Sequence, residues 1–252
     1  MTVGAALLLT DLWKRFGEKV AVAGLNLTVP AGSFYGLLGP NGAGKTTTLS
    51  LATGLLRPDA GTVHILGHDV WRDPVTAKSL IGVLPDGVKL FDRLSGRELV
   101  IYHGLLRGMD RPTVLHRTDE LLDTLGLTED RDSLVIDYSA GMTKKIALAC
   151  ALIHAPKLLL LDEPFEAVDP VSAAAIRAIL LQVVVGGGTV VLSSHVMELV
   201  ERLCDHVAIV HLGRIVAAGP LDDVRAGATL EQRFAERVGA STETVDLEWL
   251  RS

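Results

Sequence analysis

The run Gly39-Pro40-Asn41-Gly42-Ala43-Gly44-Lys45-Thr46 has the residue types and spacing to hold a polyphosphate. Glycines let the backbone curl so that its N–H groups point inward, and such a nest of donors attracts anions. Where G-x-x-x-x-G-K-[ST] ends, Lys45 has the charge and reach to meet β- and γ-phosphates, and Thr46 offers a hydroxyl to Mg²⁺. Gly39, Asn41, Gly42, Ala43, Gly44, Lys45, Thr46 and Thr47 are therefore candidate nucleotide-binding residues. The flanks agree with this reading. Ser33 to Leu38 reads as a short buried strand and Thr46 to Leu56 as a helix, whose positive N-terminal end would face the anion.

A second group of chemically able residues closes the run Leu158-Leu159-Leu160-Leu161-Asp162-Glu163-Pro164. A strand ending in two acids delivers both carboxylates to the C-terminal edge of a sheet, where open α/β folds bind ligands. Asp162 is suited to hold Mg²⁺ through water, and Glu163 to polarise water for attack on a γ-phosphate.

These groups need a scaffold, and the chain patterns supply one. Leu25, Leu27 and Val29 alternate with Asn26 and Thr28, a half-buried strand stopped by Pro30-Ala31-Gly32, and the first thirty-odd residues read as β structure. Thr62 to Leu66 and Leu80 to Leu84 are further strands. From Ser95 the period turns helical. Ser95-Gly96-Arg97-Glu98 is a capping box, opening a helix that carries Leu99, Tyr102, Leu105 and Leu106 on one face. A second helix runs from about Pro112, with Val114, Leu121, Leu122 and Leu125 apolar and Gly126 as its stop. A third begins at Ser139 and turns Ile146, Ala147, Cys150 and Ala151 inward. Residues from about 94 to 155 thus form a helical insert in an α/β chain. The α/β pattern resumes with Lys157 to Leu161, whose lack of polar alternation marks a strand buried on both faces. A helix over Ser172 to Val184 and a strand over Gly188 to Ser193 follow. Val207 to His211 and Arg214 to Ala218 flank Leu212-Gly213 as a closing hairpin. Residues 1–220 read as one cassette without internal repeats, and 221–252 as a small, mostly helical extension.

Composition sets the setting. The 252 residues suffice for one sizeable α/β domain, and the hydrophobic (48%) and charged (21%) fractions are those of an ordinary globular protein. A net charge of -6 argues against nucleic acid or an anionic lipid surface as main partner. The two cysteines, Cys150 and Cys204, lack metal-ligand spacing and read as small buried hydrophobes in a reducing compartment. The apolar runs are far shorter than the ~20 residues that cross a bilayer. Met1 to Leu7 has no basic n-region. A cytoplasmic chain is expected, held at any membrane by another polypeptide.

Together these motifs, in their order from about Leu7 to Val224, resemble the ATP-binding subunit of ATP-binding cassette (ABC) transporters. Tyr138-Ser139-Ala140-Gly141-Met142 stands where the family has its Leu-Ser-Gly-Gly-Gln signature, and Ile81-Gly82-Val83-Leu84-Pro85-Asp86 where its glutamine loop ends. Ala167-Val168-Asp169 matches the loop after the catalytic glutamate, His195 the switch histidine, and Phe16 the aromatic that stacks on adenine. The resemblance implies a P-loop NTPase with a RecA-like α/β core, an N-terminal antiparallel β subdomain and an inserted α-helical subdomain. It implies ATP and Mg²⁺ as cofactors, with Glu163, His195 and Lys45 catalytic and Thr46, Asp162 and Asp86 at the metal. Ser139 and Gly141 would complete the ATP site of a second cassette, in a homodimer on the inner face of the membrane beside a transmembrane permease.

Two positions depart from the family. Asp86 replaces Gln, so it lacks an N–H₂ to donate while keeping oxygens for a metal. Ala140 and Met142 replace Gly and Gln of the signature, a variant similar to exporter-type cassettes of the drug, polysaccharide and antibiotic efflux group. Bland roles stay open for single residues: Asp86 as a turn residue before Gly87, Phe16 as core, Asp169 as a helix cap. His64, His103, His154 and His211 have no grouping with acids or cysteines and read as structural or solvated. A soluble cassette acting on ribosomes or DNA, and a regulator that never hydrolyses, are the alternative functions. The first usually carries two cassettes or a long coiled-coil insert, and the second lacks the acid that Glu163 supplies.

Overall fold

A computed structural model of the chain describes residues 4–87 and 89–238. Its first two strands, β1 (Ala5–Phe16) and β2 (Lys19–Pro30), alternate buried and exposed side chains over much of their length and pair antiparallel. The next strand, β3 (Phe34–Leu38), leaves for a second sheet and leads through the phosphate loop into α1 (Lys45–Ala52). The chain then returns as β4 (Ala60–Ile65) and β5 (His68–Asp69), completing a four-stranded sheet in the order β2-β1-β4-β5. This is the expected antiparallel subdomain.

After α2 (Pro74–Ser79) and β6 (Ile81–Leu84) the chain enters three helices, α3 (Gly96–Leu106), α4 (Arg111–Thr124) and α5 (Ala140–Leu152). The capping box at Ser95 is formed, and Asp110 and Ser139 cap the other two. The insert also holds a 3₁₀ turn at Val135–Asp137, which the helical period does not announce. Then follow β7 (Leu158–Asp162), α6 (Pro170–Val185), β8 (Thr189–Ser194), α7 (Met197–Leu203) and the hairpin β9 (His206–His211) with β10 (Arg214–Pro220). The second sheet has the order β10-β9-β3-β8-β7-β6, parallel except for β10. Helices α8 (Leu221–Arg225) and α9 (Leu230–Val238) pack beyond it. The rest of the expected extension lies outside the described residues.

Every residue of β3, β7 and β8 is buried, because both faces of the parallel sheet are covered. Leu159, Leu161, Val190 and Leu192 face one core, shared with α3, α4 and α5. Leu158, Leu160 and Val191 face the other, shared with the antiparallel sheet and α1. The apolar run before Asp162 is thus divided between two cores, which fixes that strand and the acids at its end.

Three expected elements need correction. The phosphate-loop helix ends at Ala52, four residues short of Leu56, because Gly54 turns left-handed (φ +69°) and the N–H groups of Leu55 and Leu56 close on the Ser50 carbonyl. Helix α6 starts at Pro170, two residues early, since Pro fits the first turn and Asp169 caps it. In α3 Leu99 is buried, but Tyr102 and Leu105 reach the surface and Leu106 is mostly in solvent. The buried stripe runs instead through Gly96, Val100 and Gly104, where Val114 of α4 comes close to the helix.

Candidate functional site

The phosphate loop joins the C-terminal end of β3 to the N-terminus of α1, where backbone donors and the helix dipole favour an anion. Two of its glycines are enforced by close approach. A Cβ on Gly39 would lie 2.4 Å from the Val210 carbonyl oxygen, and one on Gly44 (φ +108°) 2.6 Å from that of Ala21. Lys45 is only 6% exposed, and its ammonium donates to the Gly39 carbonyl at 2.7 Å and the Pro40 carbonyl at 3.4 Å. Ala43 is buried, with its N–H on the Pro40 carbonyl at 3.1 Å. Asn41, Gly42, Gly44, Lys45, Thr46 and Thr47 line an open cleft of about 490 Å³, together with Phe16, Lys19, Ala21, Asp86, Glu163, Glu166 and His195. Phe16 ends β1 half-exposed at the cleft, so it is not core.

The acid pair is set by strand register. Asp162 pairs with Ser193 across β7 and β8, and the Ser193 hydroxyl donates to Asp162 Oδ1, both residues being buried. Glu163 then leaves the strand at φ +44°, a left-handed conformation rare for a residue with a Cβ. This turn brings its carboxylate between two cation-capable groups. Glu163 Oε1 lies 3.4 Å from Lys45 Nζ, and Oε2 lies 3.1 Å from Nδ1 of the exposed His195. Oε1 is buried without a hydrogen bond, so the Lys45 ion pair is its compensation among the described residues. A carboxylate held this way at a cleft floor can orient and polarise a water molecule.

The residues expected at the metal also converge. Thr46, Asp86 and Asp162 line an adjoining cavity of about 70 Å³, whose other walls are mostly apolar. A hydroxyl and two carboxylates are the hard oxygen donors that Mg²⁺ selects, so this donor set fits it. Among the described residues no three His, Cys, Asp or Glu side chains could hold a metal by themselves, and water or phosphate oxygens would have to complete the shell. Asp86 serves its turn as well, Oδ1 accepting from the Gly87 N–H at 2.8 Å.

Ser139, Gly141 and Asp169 are not brought to this cleft. Ser139 caps α5 by accepting from the Met142 N–H at 3.2 Å. Asp169 caps α6 by accepting from the N–H groups of Val171 (3.0 Å) and Ser172 (2.9 Å), and hydrogen bonding to Ser172 first of all holds its carboxyl below the usual carboxylate range. Gly141 faces the carbonyl of Ala167, two residues before Asp169. The three therefore gather around one stretch of surface at the start of α5 and α6. Both cysteines are buried, and burial pushes the Cys150 thiol up to about 12. Sequence reasoning missed Lys19, Ala21, Glu166 and Ser193. Only Ser193 left a signal, a polar residue directly after the apolar run Val190-Val191-Leu192.

Comparisons with known proteins bear on the family and the fold. The family model described as ABC transporter matches residues 22–166. The chain is 38% identical over 213 residues to the daunorubicin resistance ATP-binding protein DrrA3 of Streptomyces coeruleorubidus, covering 84% of this chain and 67% of that protein. It is 39% identical over 206 residues to the Nod factor export ATP-binding protein I of Burkholderia lata, covering 82% and 68%. The chain thus spans about two thirds of the length of these relatives. Among solved structures, one titled as the ATP-binding subunit of an ABC transporter superposes with a TM-score of 0.87 at 29% identity, covering 92% of this chain and 99% of the other. The chain belongs to the ABC transporter family. It is one of that family's ATPase cassettes, with the mixed α/β fold of a P-loop NTPase.

Proposed function

We propose that this chain, as the ATP-binding subunit of an exporter-type ABC transporter, hydrolyses ATP between two copies of itself and so drives a solute outward through a separate membrane subunit. The observation that carries it is the meeting of Lys45, Glu163 and His195 at the floor of one cleft, at 3.4 Å and 3.1 Å. Lys45 offsets phosphate charge, Glu163 orients the attacking water, and His195 senses the γ-phosphate while steadying Glu163. Thr46, Asp162 and Asp86 hold Mg²⁺, which when bound neutralises charge on the phosphate oxygens. Phe16 stacks on adenine at the cleft mouth. Ser139 and Gly141, lying away from the cleft of their own chain, serve the ATP held by the second copy, with Asp169 at that contact.

The membrane subunit has a surface to meet. Phe91 and Tyr102 pack edge to face at 5.5 Å, and both are exposed beside Leu105 and Leu106 of α3. An exposed apolar cluster of this kind marks a protein contact. No helix among the described residues is long and apolar enough to cross a membrane. In this reading the partner holds the chain at the inner face. Export follows the relative named for Nod factor export and the variant signature. Purification of the tagged full chain from membranes, with mass spectrometry of what accompanies it, tests the reading. A multi-spanning membrane protein is the expected companion. Recovery of active ATPase from the cytosolic fraction alone, bound to ribosomes or DNA, contradicts it.

A further inference from the structure

We infer that Ser193 is the positioning residue that sets the catalytic turn at Glu163, an inference that rests on the ATPase reading of this cleft. Its side chain is fully buried and touches both acids at once. The hydroxyl donates to Asp162 Oδ1, and the same oxygen accepts from the Glu163 backbone N–H at 3.0 Å. One hydroxyl thus uses its single donor and an acceptor lone pair to tie the side chain of one acid to the peptide of the next.

The tie falls where the backbone needs it. Glu163 sits at φ +44°, and such a conformation in a residue with a Cβ persists only where its surroundings over-determine it. The direction of its carboxylate, toward Lys45 and His195, depends on that turn. The next two residues of the chain act elsewhere. Ser194 Oγ accepts from the Val196 N–H at 3.0 Å, while its carbonyl accepts from the Gly39 N–H at 3.4 Å, steadying the phosphate loop. His195 reaches the Glu163 carboxylate itself. Ser193 alone of the three holds the Glu163 peptide. Its removal leaves the buried Asp162 carboxylate without its donor and the Glu163 turn without its anchor. The phosphate loop, to which the Ser193 hydroxyl makes no hydrogen bond among the described residues, should keep its geometry.

The test compares Ser193→Ala and Ser193→Thr in the full chain by steady-state ATPase kinetics and by amide exchange at Glu163. A displacement of the reacting group by ~1 Å costs about 10²-fold, so S193A should lose kcat on that scale. KM for ATP should change less than kcat, since most of the ground-state contacts belong to the loop. S193T keeps the hydroxyl and should recover most of kcat. In nucleotide-free protein without Mg²⁺, the Glu163 amide should exchange faster in S193A and at the wild-type rate in S193T. Wild-type kcat in S193A overturns the proposal, as does equal loss of kcat and ATP affinity. Should S193A not fold, Ser193→Cys keeps the size with a weak S–H donor, and wild-type kcat there overturns it too. The exchange measurement needs no turnover. Unchanged protection in S193A defeats the Ser193 assignment even for a chain that hydrolyses ATP, while a wild-type chain without ATPase activity defeats the functional reading alone.

Discussion

At the scale of single residues, Glu163 concentrates the chemistry. Its two oxygens face different partners, Lys45 at 3.4 Å and His195 at 3.1 Å. Glu163→Gln keeps shape but loses the charge that polarises water, so turnover should fall by about 10² or more while ATP still binds. Near-normal turnover, measured by phosphate release, would contradict this role. Lys45→Ala removes the cation nearest the loop carbonyls, so nucleotide affinity should fall along with turnover. A binding titration with unchanged ATP affinity counts against it. Asp86 poses a finer question, because its Oδ1 caps its own turn while the side chain lines the cavity shared with Thr46 and Asp162. Asp86→Gln should leave ATPase activity within about tenfold of wild type, or ~1.4 kcal/mol in the barrier. It should also raise the Mg²⁺ concentration for half-maximal rate, since a carboxylate ligand is lost. Superimposable Mg²⁺ titrations at saturating ATP would leave Asp86 a turn residue only.

At the scale of elements, two side chains of the helical insert, Arg107 and His154, meet on the Ile81 carbonyl at the edge of the parallel sheet. Arg107 at the end of α3 donates to Ile81 O at 3.3 Å and Lys78 O at 2.7 Å, and His154 Nε2 meets Ile81 O at 2.9 Å. Burial first, and then the Arg107 charge, lower the His154 pKa from 6.5 to about 4. A depressed histidine binds its proton more weakly in the folded chain, so its contribution is full above pH 6.5 and is lost as pH falls toward 4. Urea unfolding across that window should show wild type losing stability relative to His154→Gln, which cannot take up a proton. Parallel curves would mean that His154 titrates normally. How much could be read beforehand follows the same divide between local and distant causes. The glycine loop, the strand ending in Asp162-Glu163, the capping box at Ser95 and the Leu212-Gly213 turn are local patterns, so the sequence carries them plainly. The inward face of α3 is decided by where Val114 meets Gly104, a contact between helices that no single-helix period contains. The left-handed turn at Glu163 has the same character. It needs Ser193, thirty residues away, and a strand register that only the folded sheet supplies.

At the scale of the whole molecule, the site looks divided against itself. The phosphate loop, Glu163 and His195 share one cleft, whereas Ser139, Gly141 and Asp169 lie around the starts of α5 and α6. Ser139→Ala removes a cap worth about 1 kcal/mol, a modest stability loss visible in thermal melts. Its loss of ATPase activity should be far larger, because the same hydroxyl would face the partner's ATP. Two-fold symmetry makes this arrangement testable by mixing two inactive chains. In a pair formed from Lys45→Ala and Ser139→Ala, one site inherits both defects and the other inherits none. With random pairing half the dimers are mixed and each has one sound site of two, so activity should return to about one quarter of wild type if the sites act independently. If each chain built its whole site alone, every site would carry a defect and the mixture would stay as inactive as its components. Titrating one variant into the other and following ATPase rate separates these outcomes, because recovery in trans must rise and then fall with the mixing ratio.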